Sequence, residues 1–504
     1  MKKILYIVCI SLILVGCDNW LELDPIGSKV EANYIKDLRS AVYAYNGVDN
    51  SFINIWKSLP TFVEALADDV FIPATNGTDA ADMIAVDQLN ITESTGTNFF
   101  GTCYSGINKI NTALPYIEKL EVLENDKASL NVVRGQMHFM KAFFYFTLVR
   151  LYGEVPIMSK VTNPDEGKQP RASMGDLYEL IEREIKTAIE LLPEKLNGKI
   201  GQEIGKPSRY SAYALQADFY AYFEKWDNVL VATEPFIGNE AFDKVDYKYI
   251  FHWESPESGL DYSDKYVKEI ILDANFDEFG KQNITWEFTP RGYVSSMTQG
   301  SHRGIMYATS NVLDPKETES PSKGSYTSGL LELFEEGDYR LSYLWKDTFY
   351  QTKDLYGTLK FYGSTIGYNT GRVNMPVYRF SEILLLRAEA LNEKNKPEDA
   401  LEIVNNNIRK PMNASLVTTI EQDAVKELII NERRRELCFE GKRFFDLNRQ
   451  GRLAIALESQ ENIQGRNITP HLITNPLTNK KHFVLPFPLK EINANPYIEN
   501  NPGY

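Results

Sequence analysis

The sequence predicts a mostly α-helical body of tetratricopeptide-like helix pairs, with one irregular, loop-rich half containing short strands. Three observations carry that reading. Apolar residues recur at three- and four-residue steps through much of residues 98–223 and 378–451, the period of one helix face. Two helix–turn–helix stretches hold facing positions twelve residues apart, the offset at which paired helices of such repeats touch. Between about Gly238 and Asn374 the period lapses, and aromatics alternate with Gly, Pro and Ser turns.

In chain order, a first helix is expected from about Tyr34 to Tyr45. Residues 68–97 are polar and turn-rich, and a loop of that length inside a folded body is often functional. Helical period resumes near Asn98. In Arg134–Tyr152, the side chains of Met137, Met140, Phe144, Leu148 and Leu151 share one face. Gly153 stops that helix and Val155-Pro156 continues as extended chain. The next helix runs from Met174 to Leu192 and ends at Pro193; Ser208, after Pro207, caps another that reaches Phe223. Ala217 and Val229 hold the twelve-residue offset with Tyr220 on the core face, although Val229 stands where the repeat has a small residue. In the irregular half, Lys268–Ala274 and Thr285–Phe288 read as strands and Gly329–Phe334 as a short helix. Helices resume at Tyr378. Ala388 and Ala400 repeat the offset, flanked by Leu384, Leu391 and Val404, and Pro411 ends the pair. Short loops force such helices antiparallel, and small residues let them approach closely.

The segment from Glu421 to Asp446 is dense in charge. Arg433 to Arg435 could form an anion site, or Glu432, Arg434, Glu436, Glu440 and Arg443 could pair among themselves and lock helices together. Three arginines among three nearby glutamates favour the second reading. Gly441 reads as a helix C-cap, and Lys442–Asn448 as a short helix closed by Gly451.

Composition narrows the function. The chain has 504 residues, a net charge of −15 and four cysteines. Nucleic-acid binding would need a basic surface, which this acidity argues against. Four cysteines without a CxxC pair leave no disulfide scaffold and no zinc knuckle. Lys2 and Lys3 precede the apolar run Ile4–Gly16, which is too short to span a bilayer comfortably and reads as an export signal. Its end, Leu14-Val15-Gly16-Cys17, resembles the lipobox of bacterial lipoproteins, which implies cleavage before Cys17 and lipidation of that thiol. Loss of Lys2 and Lys3 takes the net charge from −15 to −17. Cys9 leaves with the signal, and Cys438, beside Leu437 and Phe439 on a helix, reads as a buried thiol rather than a partner of Cys103.

Several blocks then coincide in order. They are the lipobox, Trp20-Leu21-Glu22-Leu23-Asp24-Pro25, Leu151-Tyr152-Gly153-Glu154-Val155-Pro156 and Pro207-Ser208-Arg209-Tyr210-Ser211-Ala212-Tyr213-Ala214-Leu215. Further on stand Tyr378-Arg379-Phe380-Ser381-Glu382-Ile383-Leu384-Leu385-Leu386-Arg387-Ala388-Glu389-Ala390 and Glu432-Arg433-Arg434-Arg435-Glu436-Leu437-Cys438-Phe439-Glu440-Gly441-Lys442-Arg443-Phe444-Phe445-Asp446-Leu447. The ordered set resembles the SusD/RagB lipoproteins of the Bacteroidetes. The resemblance implies a SusD-like fold after a signal peptide at 1–16. An N-terminal helical region would span 17–237 and a RagB/SusD-type region 238–504, the latter made of an irregular insert at 238–377, helix pairs at 378–451 and a tail at 452–504. It also implies an outer-membrane, surface-facing location and a SusC-like TonB-dependent transporter as partner. The ligand it implies is an oligosaccharide or, in some members, a peptide, with no cofactor.

The residues are consistent with a binder. No HExxH, GxSxG, Walker A or GxGxxG pattern occurs, and the five histidines form no local cluster. A sugar site needs aromatic faces for C–H packing and polar groups for hydroxyls. The irregular stretches supply Asp68, Asp69, Phe71 and Asn76 in the first long loop, and Trp253, Phe276, Trp286, Arg291 and Tyr293 in the middle. Trp286, after the polar turn Gly280-Lys281-Gln282-Asn283, is the foremost candidate, and no metal site is expected.

Overall fold

The computed structural model describes residues 35–71, 85–94, 98–159, 168–194, 205–245, 250, 268–274, 307–308, 329–346, 356–358, 360, 375–457 and 471–504. Helix α1 (Leu38–Trp56) starts later and runs further than the sequence suggests. Asp37 and Ser40 form a reciprocal capping box at its start, and the buried Val48, Phe52 and Trp56 carry it past the Asn46-Gly47 break. A short helix α2 (Leu59–Ala65) follows, then α3 (Phe99–Glu118), α4 (Lys127–Tyr152), α5 (Met174–Leu191), α6 (Arg209–Tyr222) and α7 (Trp226–Thr233). The C-terminal half supplies α8 (Phe380–Glu393), α9 (Pro397–Ile403), α10 (Gln422–Leu437), α11 (Arg443–Arg449) and α12 (Leu489–Ala494).

These helices stack in sequence. Helices α1 and α3 pack on each other and on α4. Helix α4 packs on α5, α5 on α6, α6 on α7, α7 on α8, and α8 on both α9 and α10. The polar face expected of a surface helix is largely missing from the C-terminal half of α4. Phe139, Phe143 and Phe146 are as buried as the predicted stripe of Met137, Met140, Phe144, Leu148 and Leu151. The Phe143 ring lies 5.1 Å from Phe52 and 5.9 Å from Trp56. A helix apolar all round is a central one, and α4 is the axis of the N-terminal half. Gly153 ends it at φ 74°, a conformation that a side chain resists. Ser208 caps α6 through the Ser211 amide, as the sequence predicts. Ala217, Val229, Ala388 and Ala400 are all fully buried at the helix contacts.

The strands form four two-stranded antiparallel pairs among the described residues. They are β1 (Val70–Phe71) with β3 (Tyr307–Ala308), β2 (Ile270–Ala274) with β6 (Met375–Arg379), β4 (Leu344–Lys346) with β5 (Tyr356–Thr358), and β7 (Leu472–Thr474) with β8 (Lys481–Phe483). Tyr378 therefore belongs to a strand, and the helix expected to begin there begins at Phe380. The aromatic Tyr378 pairs with Leu272 and Arg379 with Ile270 of β2 before the chain turns into α8. Gly329–Phe334 forms only a single 3₁₀ turn, Leu331–Leu333. The expected strand Thr285–Phe288 lies outside the described residues. The α8–α9 pair loosens into a π turn at Val404–Arg409 and ends at Asn413, φ 55°, two residues beyond Pro411. Cys103 and Cys438 are buried free thiols. Among the described residues no helix is long and apolar enough to cross a membrane.

Candidate ligand-binding face

The first long loop begins at an unusual place. Glu64, in the last turn of α2, and Asp68 and Asp69, between α2 and β1, are completely buried. Three acids cannot be desolvated together without compensating donors. The compensation comes from the α10–α11 corner, more than 360 residues away in sequence. Arg443 grips Asp68 with two bonds, Nε to Oδ1 at 2.7 Å and Nη2 to Oδ2 at 2.9 Å. Arg434 donates to Asp69 and approaches Asp68 at 3.3 Å. Glu64 accepts the Gly441 amide at 2.7 Å.

Gly441 is not the cap the sequence suggests, because α10 already ends at Leu437. Its φ is 73°, and a Cβ there would stand 2.7 Å from the Cα of Pro60. The glycine lets α2 touch this corner backbone to backbone.

The same corner carries a wider buried network. Glu432 accepts from Arg340 at 3.0 Å and from Arg409 and Arg435. Glu436 accepts from Arg379 at 3.1 Å, Arg340 at 3.3 Å and Lys244. Glu440 takes Arg379 at 2.8 Å and Lys360 at 2.7 Å. Arg433 reaches Asp446 at 2.8 Å, and Arg449 reaches Glu389 at 2.6 and 2.8 Å. Glu432, Arg434, Glu436, Glu440 and Arg443 thus lock helices together, but not by the pairing among themselves that the sequence suggests: apart from Glu432 with Arg435, their ion pairs run to residues outside Glu421–Asp446. Arg340, Arg379, Arg409, Lys244, Lys360 and Glu269 were not legible as members. The one available signal was a lone charge inside an apolar run, as Arg379 is between Val377-Tyr378 and Phe380, and Glu269 before Ile270-Ile271-Leu272.

Electrostatics follow the geometry. Burial pushes the Asp68 carboxyl up, but Arg434 and Arg443 outweigh it and hold the group well below the usual carboxylate range. Asp69 moves the other way: burial outweighs Arg434, and the neighbouring Asp68 charge adds to the rise. Burial, then Asp69, pushes Glu64 well above its ordinary value. Against burial, Arg340, Arg435 and Arg409 bring Glu432 down to about 2.

Asp68 and Asp69 were expected to face a ligand. The structure buries both at 0% exposure and commits them to internal arginines, so they are anchors and not contact groups. Phe71 lies in β1, opposite Tyr307. Asn76, Trp253, Phe276, Trp286, Arg291 and Tyr293 lie outside the described residues. Chain connectivity still relates these groups. The stretch carrying Asn76 leaves from β1, and the stretch carrying Phe276, Trp286, Arg291 and Tyr293 runs from the end of β2 to β3. Because β1 pairs with β3, Val70 to Ala308 and Phe71 to Tyr307, both stretches have one end at a single two-stranded ribbon. Among the described residues, no group of three His, Cys, Asp or Glu side chains is placed to hold a metal ion.

Comparison with known proteins gives the same architecture. The model of the SusD family matches residues 205–504, and a model described as starch-binding associating with outer membrane matches residues 25–221. Two SusD-like proteins of Formosa agariphila, designated P38 and P2, are 25% and 26% identical. The first match covers 94% of this chain and 97% of the relative, the second 100% and 99%. A crystal structure of a SusD superfamily protein from Bacteroides vulgatus superposes with a TM-score of 0.73 at 18% identity, covering 94% of this chain and 100% of that one. A laminarin-binding SusD-like protein gives 0.70 at 20% identity, covering 93% and 100%. At such identities the structural likeness is one of fold, and with a family model running over well over half of the sequence, the chain belongs to the SusD family.

Proposed function

We propose that this protein is a non-catalytic, surface-facing lipoprotein, anchored through acylated Cys17, that binds nutrient oligosaccharides and hands them to a SusC-like TonB-dependent barrel. The observation that carries the reading is the pair of family matches, from residue 25 to 504, one of them described by starch binding and the outer membrane. The laminarin-binding neighbour of the same fold supports a glycan as ligand. The ligand face is read as the loop-rich side hung on the β1–β3 ribbon. Stacking of a sugar ring on Trp286 contributes roughly 1 kcal/mol beyond area burial, so a shallow site of two or three such rings binds in the micromolar range or weaker.

Calorimetric titration of the mature chain against laminarin and starch oligosaccharides and against a peptide panel tests this. Heat with a glycan, weakened about tenfold or more in Trp286→Ala, is the expected outcome. Binding confined to peptides would replace the glycan with an oligopeptide ligand, and release of reducing ends by the purified protein would overturn the non-catalytic reading. Cys17→Ala should leave the protein out of the membrane fraction.

A further inference from the structure

Between the π turn at Val404–Arg409 and helix α10, residues 414–421 belong to no helix, strand or turn, yet they are held firmly on alternate residues. The Ser415 amide donates to Glu335 Oε2 at 2.9 Å, and its carbonyl accepts Arg409 Nε at 2.6 Å. Two residues on, the Asn405 carboxamide takes both backbone groups of Val417, accepting the amide at 3.0 Å and donating to the carbonyl at 2.7 Å. In extended chain, the N–H and C=O of one residue point to one edge and those of the next residue to the other. Ser415 and Val417 therefore turn one edge inward, where side chains stand in for a neighbouring strand. The outward edge, at Leu416 and Thr418, has no backbone hydrogen bond among the described residues, and neither have Thr419 and Ile420. Asn405 and Arg409, which hold the inner edge, both lie in the π turn, an irregularity that recurs at functional sites.

Side chains alternate along the same stretch. Leu416 and Ile420 are 55% and 54% exposed on one face, with Thr418 exposed between them. Tyr339, 61% exposed, stands on the adjoining turn, which Asn413 Nδ2 joins by donating to the Gly337 carbonyl at 3.0 Å. Open edges are ordinarily blunted by lysine or proline, and residues 414–420 contain neither. The surround is acidic. On residues 332–339, 402–413 and 414–423, the exposed charged residues are Glu332, Glu336, Glu402, Glu421 and Asp423 against Lys410 alone.

We propose that the open edge at Leu416–Ile420 docks an extended, basic segment of a second protein by strand addition. Backbone groups of Leu416 and Thr418 pair with the incoming segment, Leu416 and Ile420 receive its apolar side chains, and the flanking acids select its positive charge. A second copy of this chain would bring the same acidic surround and be repelled. The edge is too short to hold a free oligopeptide against the entropy lost on association, so the segment belongs to a folded protein whose other contacts share that cost. Docking here is independent of which ligand the loop-rich side takes.

The test places a photo-cross-linking side chain at Thr418 of the full lipid-anchored chain in its native cells and identifies the trapped peptide by mass spectrometry. The expected product is one site on a different protein, flanked by lysine or arginine, with a yield that drops roughly threefold or more in membranes washed at high salt. With the cross-linker moved to Ile420, Thr418→Pro removes an outward amide and leaves the Asn405 bonds intact; it should lower the yield about tenfold or more. Leu416→Lys, a surface change that adds a repelling charge, should do the same with the melting temperature unchanged. Trapping of a second copy of this chain, of a free oligopeptide or of an acid-flanked segment overturns the proposal. So does the lack of any adduct, or an undiminished yield in Leu416→Lys.

Discussion

Helix α4 and helix α10 are both buried, yet they are held by opposite means. Helix α4 is surrounded by Phe52, Trp56 and Phe219, and most of its buried contacts are rings and aliphatic chains. Helix α10 buries five consecutive charged residues, Glu432 to Glu436, and its contacts are ion pairs with residues drawn from 68 to 446. Apolar burial is non-directional and degrades gradually when atoms are removed. A buried ion network has no such tolerance, because a deleted partner leaves a desolvated charge behind.

The largest effect should therefore come from the ionic side. Glu436→Gln strips a charge from Lys244, Arg379 and Arg340 together. It should cost about 4 kcal/mol or more, read from the urea midpoint. Phe143→Ala on α4 should cost about 3 to 4 kcal/mol. If the glutamine variant proves the milder of the two, the contrast between the regions collapses.

Acid sharpens the same comparison. Glu432 is brought down to about 2, and Lys244, Arg379 and Arg340 overcome burial to hold Glu436 well below its ordinary range. Depressed carboxylates contribute stability that is complete above their unfolded value near 4.5 and is lost as pH falls toward about 2. His482, buried and near Lys480, is pushed down to about 4. Folding therefore favours its neutral form, a contribution present above about 6.5 and lost on the way down to about 4. Urea midpoints followed downward from pH 7 should fall in these two windows, and His482→Gln should remove the upper one alone. A curve flat to pH 3 would mean that the network carries little net stability. The smallest expected effect is Ser208→Ala, which removes the α6 cap and should cost about 1 kcal/mol by the same assay.

What could be read from the sequence divides along the same line. The stack was legible because periodicity, small-residue offsets and the Ser208 cap are local: Ala388 and Ala400, twelve residues apart, are both fully buried on the packed pair α8 and α9. The extent of α4 burial was not, since a stripe of five residues gives no hint of what covers the other side. The ionic corner was legible only from inside: Glu432 to Arg443 announced that charges would pair, but Arg340 and Lys360 are ordinary polar letters until the fold brings them in, and Arg379 stands out only as a lone charge in an apolar run. Asp68 and Asp69 were misread for the same reason. An acid in a polar stretch looks solvated, and its burial depends on Arg434 and Arg443 hundreds of residues later. The aromatics Trp253, Phe276, Trp286 and Tyr293 lie outside the described residues, and titration decides their role.

The wide separation between Asp68 and Arg443 has a consequence for biosynthesis. A chain emerging residue by residue can assemble α1, α3 and α4 from neighbours in sequence, because their contacts are local. The guanidinium groups of Arg434 and Arg443 that hold Asp68 and Asp69, and the Gly441 amide that Glu64 accepts, exist only once α10 and α11 have appeared, so burying these acids earlier is unfavourable. The segment from α2 to β1 must stay hydrated through most of synthesis and close last, with the C-terminal third acting as its counter-ion. A chain truncated before Glu421 should keep a protected α4 while being cut by protease between Ala65 and Phe71; protection of that segment without α10 would show that the closure does not wait.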